Sequence, residues 1–192
     1  SGWKIISKSA TQVATNNNAQ RILFIVSNAH FHGNSQIPAG VSFSELVKAY
    51  DTFKQAGYTV DFVSPEGGAI PLSYINTSDP IHKKYLYNTD FMYAIGHTKS
   101  PEQIKPELYK AVHYLGGSNA MYGVADNKAI QNITMTIYEQ YQGIVSAVCH
   151  GTAGIVNLKT KDGRYLVAGK RISGYPEMFE NTNKAYFKQF PF

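Results

Sequence analysis

Gly143-Ile-Val-Ser-Ala-Val-Cys149-His150-Gly151 is an apolar run that ends abruptly at the only cysteine of the 192 residues. A segment of small residues, Gly151-Thr-Ala-Gly-Ile155, follows at once. This order predicts a strand, a tight turn and a helix, the arrangement of a nucleophile elbow. In an elbow, small residues two positions before and after the reactive side chain let the backbones cross closely, and Ala147 and Gly151 occupy those positions.

The predicted turn makes Cys149 a candidate nucleophile. A thiol at a helix N-terminus lies beside unpaired amide donors and the positive end of the helix dipole, so we expect the thiolate to be favoured over the thiol. A lone cysteine at the end of an apolar strand is also typical of a buried structural residue. The adjacent His150 and the flanking small residues favour the nucleophile.

A strand-helix-strand unit lies upstream of the elbow. Residues 21–28 are a continuous run of β-formers, typical of a strand that is buried on both faces. Ser42-Phe-Ser-Glu45 begins a helical pattern that Gly57 closes, and residues 58–63 form a second apolar run. A connection of this length predicts that the two strands are parallel.

Further elements are predicted between this unit and the C-terminus. Residues 111–115 indicate a third strand that runs into Gly116-Gly117, and an apolar stripe over residues 126–137 predicts a helix before the elbow strand. Residues 69–99 hold two prolines and five Tyr or Phe residues, and we expect an irregular segment whose aromatic side chains pack over a site. Residues 161–164 signal a hairpin.

These elements predict a single α/β domain over residues 21–192. Its expected form is a three-layer α/β/α sandwich with a mostly parallel, flavodoxin-like sheet, and residues 1–20 are expected to be an N-terminal arm with little independent structure. Sites in such sheets form at the C-terminal ends of the strands. The loops that carry Glu45, Gly116 and Cys149 should therefore converge.

Composition excludes several classes of function. Lys and Arg number 18 against 13 Asp and Glu, a net charge of +5, but the charges are scattered and no nucleic-acid motif is present, so no nucleic-acid partner is expected. No apolar run has the length of a membrane span. One cysteine excludes an internal disulfide and a multi-cysteine metal site. A cytoplasmic location is expected, and the absence of an initiator Met leaves an exported mature form open.

Chemistry at Cys149 needs a group that handles its proton and donors that stabilise an oxyanion. Glu45 is a candidate for the first role, although Ser42-x-x-Glu45 is also a capping box, in which the carboxylate closes the helix start. The two interpretations are compatible. The candidate oxyanion donors are the backbone N–H groups of Gly116, Gly117 and His150, although a Gly-Gly pair is also common in plain turns.

His150 is a candidate general base or acid, with Glu177 or Glu180 as the carboxylate that orients it. A histidine directly after the nucleophile reaches the position of a triad base only with the help of a sharp turn. A metal site built on His30-x-His32 would need a third ligand from among His82, His97 and Glu45. Such patterns are weak and six histidines need no metal, so none is expected.

Ala147-Val-Cys149-His150-Gly151-Thr-Ala-Gly resembles the Ala-Val-Cys-His-Gly-Pro-Ala signature of the ThiJ/PfpI superfamily, which has the class I glutamine amidotransferase-like fold. Gly40-Val-Ser-Phe-Ser-Glu45 is similar to the segment that carries the family acid. Residues 57–68 resemble the family segment Gly-Tyr-x-Val-x-x-x-Ser-Pro-x-Gly-Gly. The resemblance covers most of the chain from Arg21, and the aromatic insertion at residues 69–99 is similar to that of the chaperone and glyoxalase III branch.

The resemblance implies a homodimeric, cofactor-independent enzyme that acts on small reactive carbonyls, as a deglycase or as a glyoxalase III that converts methylglyoxal to lactate. By resemblance, Cys149 would add to the aldehyde as a hemithioacetal, and Glu45 and His150 would move protons. Glu180, or alternatively Glu177, would be the third member of a triad with Cys149 and His150. Two alternatives stay open: a cysteine amidase or peptidase, and a non-enzymatic redox-sensing holdase in which Cys149 is oxidised.

The chain departs from the family pattern in three places. Leu115-Gly-Gly-Ser118-Asn119 stands where the family has Pro-Gly-Gly-His-Gly, so the loop facing the thiol lacks an imidazole and the substrate stays open. Where the family has an acidic pair, this chain has Gly174-Tyr-Pro-Glu-Met-Phe-Glu180, so the third member of the triad is either Glu177 or Glu180. The chain stops at Phe192, so we expect the last helix of the family to be shortened or missing.

Overall fold

The structure, a computed structural model, describes residues 4–6 and 20–191. No helix in these two ranges is long and apolar enough to cross a bilayer, since the longest, Phe43–Gln55, has 13 residues. The elements are β1 (Lys4–Ile6), β2 (Arg21–Ile25), β3 (Val41–Ser42), α1 (Phe43–Gln55), β4 (Thr59–Val63), β5 (Leu72–Ser73), α2 (Pro80–Leu86), α3 (Thr89–Gly96), β6 (Tyr109–Tyr114), α4 (Lys128–Met135) and β7 (Ile144–Ala147). A π-helix (Thr136–Gln140) extends α4, and short 3-10 helices cover Pro101–Gln103, Pro106–Leu108, Ser118–Met121, Cys149–Ile155, Glu177–Phe179 and Ala185–Gln189.

The main sheet has the strand order β1-β7-β6-β2-β4. Strands β7, β6, β2 and β4 are parallel to one another, and β1 pairs antiparallel with β7 at the edge. The predicted mostly parallel, flavodoxin-like sheet is confirmed, because the four parallel strands follow the order expected of doubly wound folds. The predicted N-terminal arm contributes β1, and its other residues, apart from Gln20, lie outside the described part of the chain.

Helices cover both faces of the sheet, which gives the predicted three layers. Alternate residues of β2, β4, β6 and β7 belong to two separate core clusters. On one face the sheet packs against α1, α2 and α3 through residues that include Leu46, Tyr85 and Phe91. On the other face it packs against α4 and the chain after the elbow through residues that include Ile130 and Leu158. Burial on both faces explains why the strands are continuous apolar runs.

The prediction that residues 69–99 are irregular is wrong over most of the segment. Two short helices, α2 and α3, occupy most of this segment. Each begins with a side-chain cap, in which Asp79 accepts from the Ile81 N–H at 2.9 Å and Asn88 accepts from the Phe91 N–H at 2.9 Å. Tyr85 and Phe91 of these helices face the core beside α1, whereas Tyr74, which precedes α2, lines the cavity described below. The helices are too short for their periodicity to be clear in the sequence.

The hairpin predicted at residues 161–164 is reduced to a turn. The Thr160 N–H donates to the Arg164 carbonyl at 2.8 Å, and the flanking segments meet only in one isolated bridge, between Lys159 and Tyr165. No strand follows the turn within the described residues. The segment after it runs in irregular form back across the C-terminal edge of the sheet, where it contributes to the site described next.

Candidate active site

The predicted elbow is present at the end of β7. Cys149 has a φ of 52°, in the left-handed region that side chains other than glycine rarely adopt, and a 3-10 helix begins at this residue. Gly151 lies against β6, since a Cβ atom there would be 2.5 Å from the Leu115 carbonyl oxygen. A small residue is therefore required at this position, as the sequence predicts, and the strained turn points the sulfur into solvent-accessible space.

Glu45 lies beside the thiol rather than serving as a helix cap. The Ser42 hydroxyl oxygen accepts from the Glu45 N–H at 3.4 Å, which is one half of the predicted capping box. The other half is replaced, because the Ser42 N–H donates to the Gly116 carbonyl at 3.1 Å. The Glu45 carboxyl group instead forms hydrogen bonds with the thiol of Cys149 and the hydroxyl of Ser42, and burial raises its pKa above the ordinary value.

His150 connects the thiol to a second carboxylate. Its Nδ1 lies 3.6 Å from the Cys149 sulfur, and its Nε2 contacts Oε1 of Glu180. The left-handed backbone of Cys149 makes this geometry accessible to the next residue in sequence. Glu180 is nearly buried, with 7% of its side chain exposed, whereas Glu177 is exposed to solvent. Of the two carboxylates considered, the structure brings Glu180 to the imidazole.

The protonation state of the thiol is opposite to that expected from the helix terminus. Burial, followed by repulsion from the Glu45 carboxylate, raises the pKa of Cys149 to about 11. A hydrogen bond from the His150 N–H lowers it by a smaller amount. The helix that begins at Cys149 is only a seven-residue 3-10 helix, so its dipole does not outweigh the loss of solvation. Attack by the sulfur therefore needs a neighbouring base.

The loop after β6 closes against the elbow and against the start of α1. A Cβ atom on Gly116 would lie 2.6 Å from Oε2 of Glu45 and 2.9 Å from Cβ of Cys149. The three loops expected to meet at this edge of the sheet are thus brought together. Ser118 and Asn119, which depart from the family pattern, hold neighbouring backbone: Ser118 Oγ accepts from the Gly40 N–H, and Asn119 Nδ2 donates to the carbonyls of Ser27 and Ala29, each at 3.1 Å.

A cavity of about 580 Å³ opens onto the sulfur. Its lining combines polar groups with aromatic rings, and contains the carboxylates of Glu45 and Glu180 but no Lys or Arg among the described residues. Its polar lining is formed by Ser42, Glu45, Ser73, Gly117, Ser118, Cys149, His150, Glu180 and Asn181. Its remaining lining residues are His32, Pro38, Tyr74, Tyr175, Phe179, Tyr186 and Phe190.

The aromatic residues of the cavity, apart from Tyr74, were not predicted from the sequence. Tyr175 stacks on His150 with ring centroids 4.3 Å apart, and Tyr186 stacks on His32 at 4.8 Å. Most of these rings belong to the irregular segment after residue 170, which carries no periodicity. The only signal in the sequence is the number of Tyr and Phe residues among its last twenty positions.

His32, considered as a metal ligand from the sequence, has other partners. Its Nδ1 lies 3.1 Å from the Tyr122 hydroxyl, and burial and then the charge of His150 lower its pKa. His82 is buried against Phe43, and His97 stacks on Tyr93. Over residues 4–6 and 20–191, no group of three or more His, Cys, Asp or Glu side chains is arranged to hold a metal ion.

The sequence is similar to that of a known protein family and of individual proteins with known names. A sequence model of the DJ-1/PfpI family, the family named ThiJ/PfpI above, matches residues 36–189. The probable glutathione-independent glyoxalase SNO4 of Saccharomyces cerevisiae is 30% identical over 164 residues, which cover 79% of this chain and 68% of that protein.

Two solved structures have a similar fold. The Rapid Encystment Protein 24 KDa of Francisella tularensis superposes with a TM-score of 0.82 at 24% identity, over 90% of this chain and 77% of that one. Glyoxalase III from Candida albicans superposes with a TM-score of 0.70 at 24% identity, over 82% and 69%. At these identities the structural likeness concerns the fold alone.

Proposed function

This chain belongs to the DJ-1/PfpI family, and from that premise we propose that it is a glutathione-independent glyoxalase, which converts a 2-oxoaldehyde to a 2-hydroxy acid with Cys149 as the nucleophile. The observation that carries the proposal is the position of the Cys149 sulfur between a carboxyl group of raised pKa and an imidazole held by a second carboxylate. The relative SNO4 bears the name of this activity. Nothing in the proposed reaction calls for a cofactor.

The first step is addition of the thiol to the aldehyde carbon. Because Nε2 of His150 contacts Glu180, the geometry favours a proton on Nε2 and leaves Nδ1 free to accept the thiol proton. As the carbon–sulfur bond forms, the aldehyde oxygen becomes an oxyanion, for which the candidate hydrogen-bond donors are the backbone N–H groups of the Gly116-Gly117 loop and of His150. Nδ1 of His150 then returns the thiol proton to this oxygen, which gives the hemithioacetal.

The second step is an internal redox rearrangement that needs no external oxidant. The hydrogen on the former aldehyde carbon leaves as a proton, and a proton is delivered to the adjacent ketone carbon, so the first carbon is oxidised and the second is reduced by two electrons each. Glu45, whose carboxyl group contacts the thiol and whose pKa is raised above the ordinary value by burial, is the proposed shuttle. Water then cleaves the thioester, which releases the 2-hydroxy acid and regenerates the thiol.

Release of lactate from methylglyoxal in the absence of glutathione tests the proposal. We expect turnover by the wild type and at least about a 10³-fold loss in Cys149→Ala, because no other described side chain of the cavity supplies a thiol. Lys128→Gln, a change at the start of α4 outside the cavity, serves as the control. Absence of turnover with any 2-oxoaldehyde would remove the proposal.

The same three side chains also suit a cysteine amidase, because the sulfur of Cys149, the imidazole of His150 and the carboxylate of Glu180 are in contact in the order of a hydrolytic triad. An amidase forms an acyl-enzyme on the sulfur without any internal redox step. Mass spectrometry after incubation with an activated amide distinguishes the two: an acyl adduct on Cys149 together with no lactate from methylglyoxal would support the amidase.

A further inference from the structure

The cavity over Cys149 is larger than a three-carbon substrate needs. Its volume of about 580 Å³ lies in the range of roughly 300–1,000 Å³ that is usual for sites of drug-sized ligands. A second cavity of about 360 Å³ shares three lining residues with it, Cys149, Tyr175 and Phe179. The sulfur therefore faces space for a substituent much larger than a methyl group.

Two aromatic rings that line the cavity are largely exposed to solvent. Tyr74 and Phe179 line the cavity and yet are 68% and 66% exposed, so neither ring is committed to the core. Tyr74 has a φ of 58°, a strained conformation for an aromatic residue and one that recurs at ligand clamps. Phe179 contacts Tyr175 edge to face, with centroids 6.3 Å apart. Exposed rings around a cavity provide the stacking surface that a planar ligand uses.

The charges around the cavity select against anions. Glu45 and Glu180 both contribute carboxylates to its lining, and no Lys or Arg lies among the described lining residues. A substrate carrying a carboxylate or phosphate would meet like charges without a compensating cation. A neutral substituent meets no such repulsion.

From these three observations we infer that the substrate is a neutral 2-oxoaldehyde with a planar, aromatic substituent on its ketone carbon. The inference rests on the proposed function. The aldehyde carbon lies at the Cys149 sulfur, within reach of Glu45 and His150, and the substituent packs among Tyr74, Tyr175 and Phe179. Small aliphatic 2-oxoaldehydes react at the same sulfur but have no ring that could stack against these side chains.

Three substrates test the inference: methylglyoxal, phenylglyoxal and 4-carboxyphenylglyoxal, with the 2-hydroxy acid measured by chromatography. We expect kcat/KM for phenylglyoxal to exceed that for methylglyoxal by about tenfold or more, and to exceed that for the carboxylated analogue by at least about tenfold. Methylglyoxal as the better substrate, or equal rates for the two aryl compounds, would overturn the inference while leaving the proposed function in place. Failure with all three would overturn the proposed function itself.

A pair of adjacent variants separates stacking from the intrinsic reactivity of the substrates. Phe179→Ala removes an exposed ring of the cavity, and we expect it to lower the ratio of kcat/KM for phenylglyoxal to that for methylglyoxal by about two- to tenfold. Met178→Ala is the matched control, because Met178 is 81% exposed in the same short helix and does not line the cavity. Any disturbance of the neighbouring Glu180 affects both substrates alike and cancels in the ratio. An unchanged ratio in Phe179→Ala contradicts the inference.

Discussion

Cys149 draws its chemistry from contacts that join residues far apart in sequence. Glu45 comes from the first turn of α1, and Glu180 comes from the irregular C-terminal segment. One carboxyl group acts on the thiol directly, and the other acts through His150. The charge of Glu45 has the larger effect of the two on the thiol pKa, whereas the contact of Glu180 orients the imidazole.

Glu45→Gln should lower the pKa of the Cys149 thiol. The substitution keeps the size of the side chain and removes the negative charge that repels the thiolate, whereas burial of the sulfur is unchanged. We expect about a tenfold higher alkylation rate near pH 8, since the ionised fraction rises tenfold for each pH unit by which the pKa falls. The pH dependence of iodoacetamide modification measures this directly, because the chain has one cysteine.

Glu66→Gln is the control for this measurement. It removes the same charge from an exposed position in the loop after β4. The thiol pKa should stay at the wild-type value in this variant. A higher thiol pKa in Glu45→Gln than in the wild type would show instead that Glu45 donates a proton to the thiolate.

Glu180→Gln should reduce kcat/KM for 2-oxoaldehyde turnover by roughly 10²- to 10⁴-fold, the usual contribution of a positioned acid or base. The change removes the carboxylate that contacts Nε2 of His150 and thereby fixes the tautomer and orientation of the ring. Glu177→Gln, in the same segment but exposed, should retain wild-type turnover. Equal losses in the two variants would assign the effect to the segment rather than to the contact with His150.

The elements that build the site are held by backbone contacts between loops. Gly117 lies where the loop after β6 crosses the segment before α1, with a φ of 111°, and a Cβ atom there would be 2.3 Å from the Ser42 backbone nitrogen. No side-chain rotation relieves a collision between two backbones. The approach of Gly116 to Glu45 and Cys149 depends on this crossing.

Gly117→Ala should therefore lower the free energy of unfolding by more than the positive-φ backbone conformation alone explains, which is about 1–3 kcal/mol. Gly68→Ala supplies the comparison, because Gly68 has a φ of 73° and no atom within 4 Å of its missing Cβ. Urea unfolding gives the free energy of unfolding of each variant, and the difference between the two reports the cost of the collision. A Gly117→Ala variant no less stable than Gly68→Ala would contradict the crossing described here.

At the scale of the whole molecule, the raised thiol pKa links the site to folding stability. The folded state holds the thiol proton up to about pH 11, whereas the ordinary value is 9.0. As pH rises through this window the unfolded chain loses its proton first, so the folded state binds more protons and the free energy of unfolding falls. The stabilising contribution is complete below about pH 9 and is lost by about pH 11.

Between about pH 9 and about pH 11, the free energy of unfolding should fall less in Cys149→Ser than in the wild type, because serine does not ionise in this range. Urea unfolding of both proteins at about pH 8 and about pH 10.5 gives the comparison. Tyrosines with raised pKa values are common to the two proteins, so their contribution cancels. An equal loss of stability in both proteins would mean that the thiol pKa does not differ between the folded and unfolded states.

Much of the fold follows from local pattern. The apolar runs of β2, β4, β6 and β7, the capped stripe of α1 and the small residues around Cys149 each bias the backbone within a few residues of themselves. These elements also predict the parallel sheet and the edge at which the loops meet. The prediction was wrong at residues 69–99, where α2 and α3 are too short for periodicity to separate a helix from a loop.

The sequence by itself determined the elbow, the parallel sheet and the candidacy of Cys149, His150 and Glu45, because those features depend on residues that are close along the chain. Only the tertiary structure brought Glu180 rather than Glu177 to His150, turned the Glu45 carboxyl group to the thiol, and surrounded the sulfur with aromatic rings. The thiol pKa was decided there as well. Burial and the charge of a residue about a hundred positions away set it, and neither quantity is encoded in a local pattern.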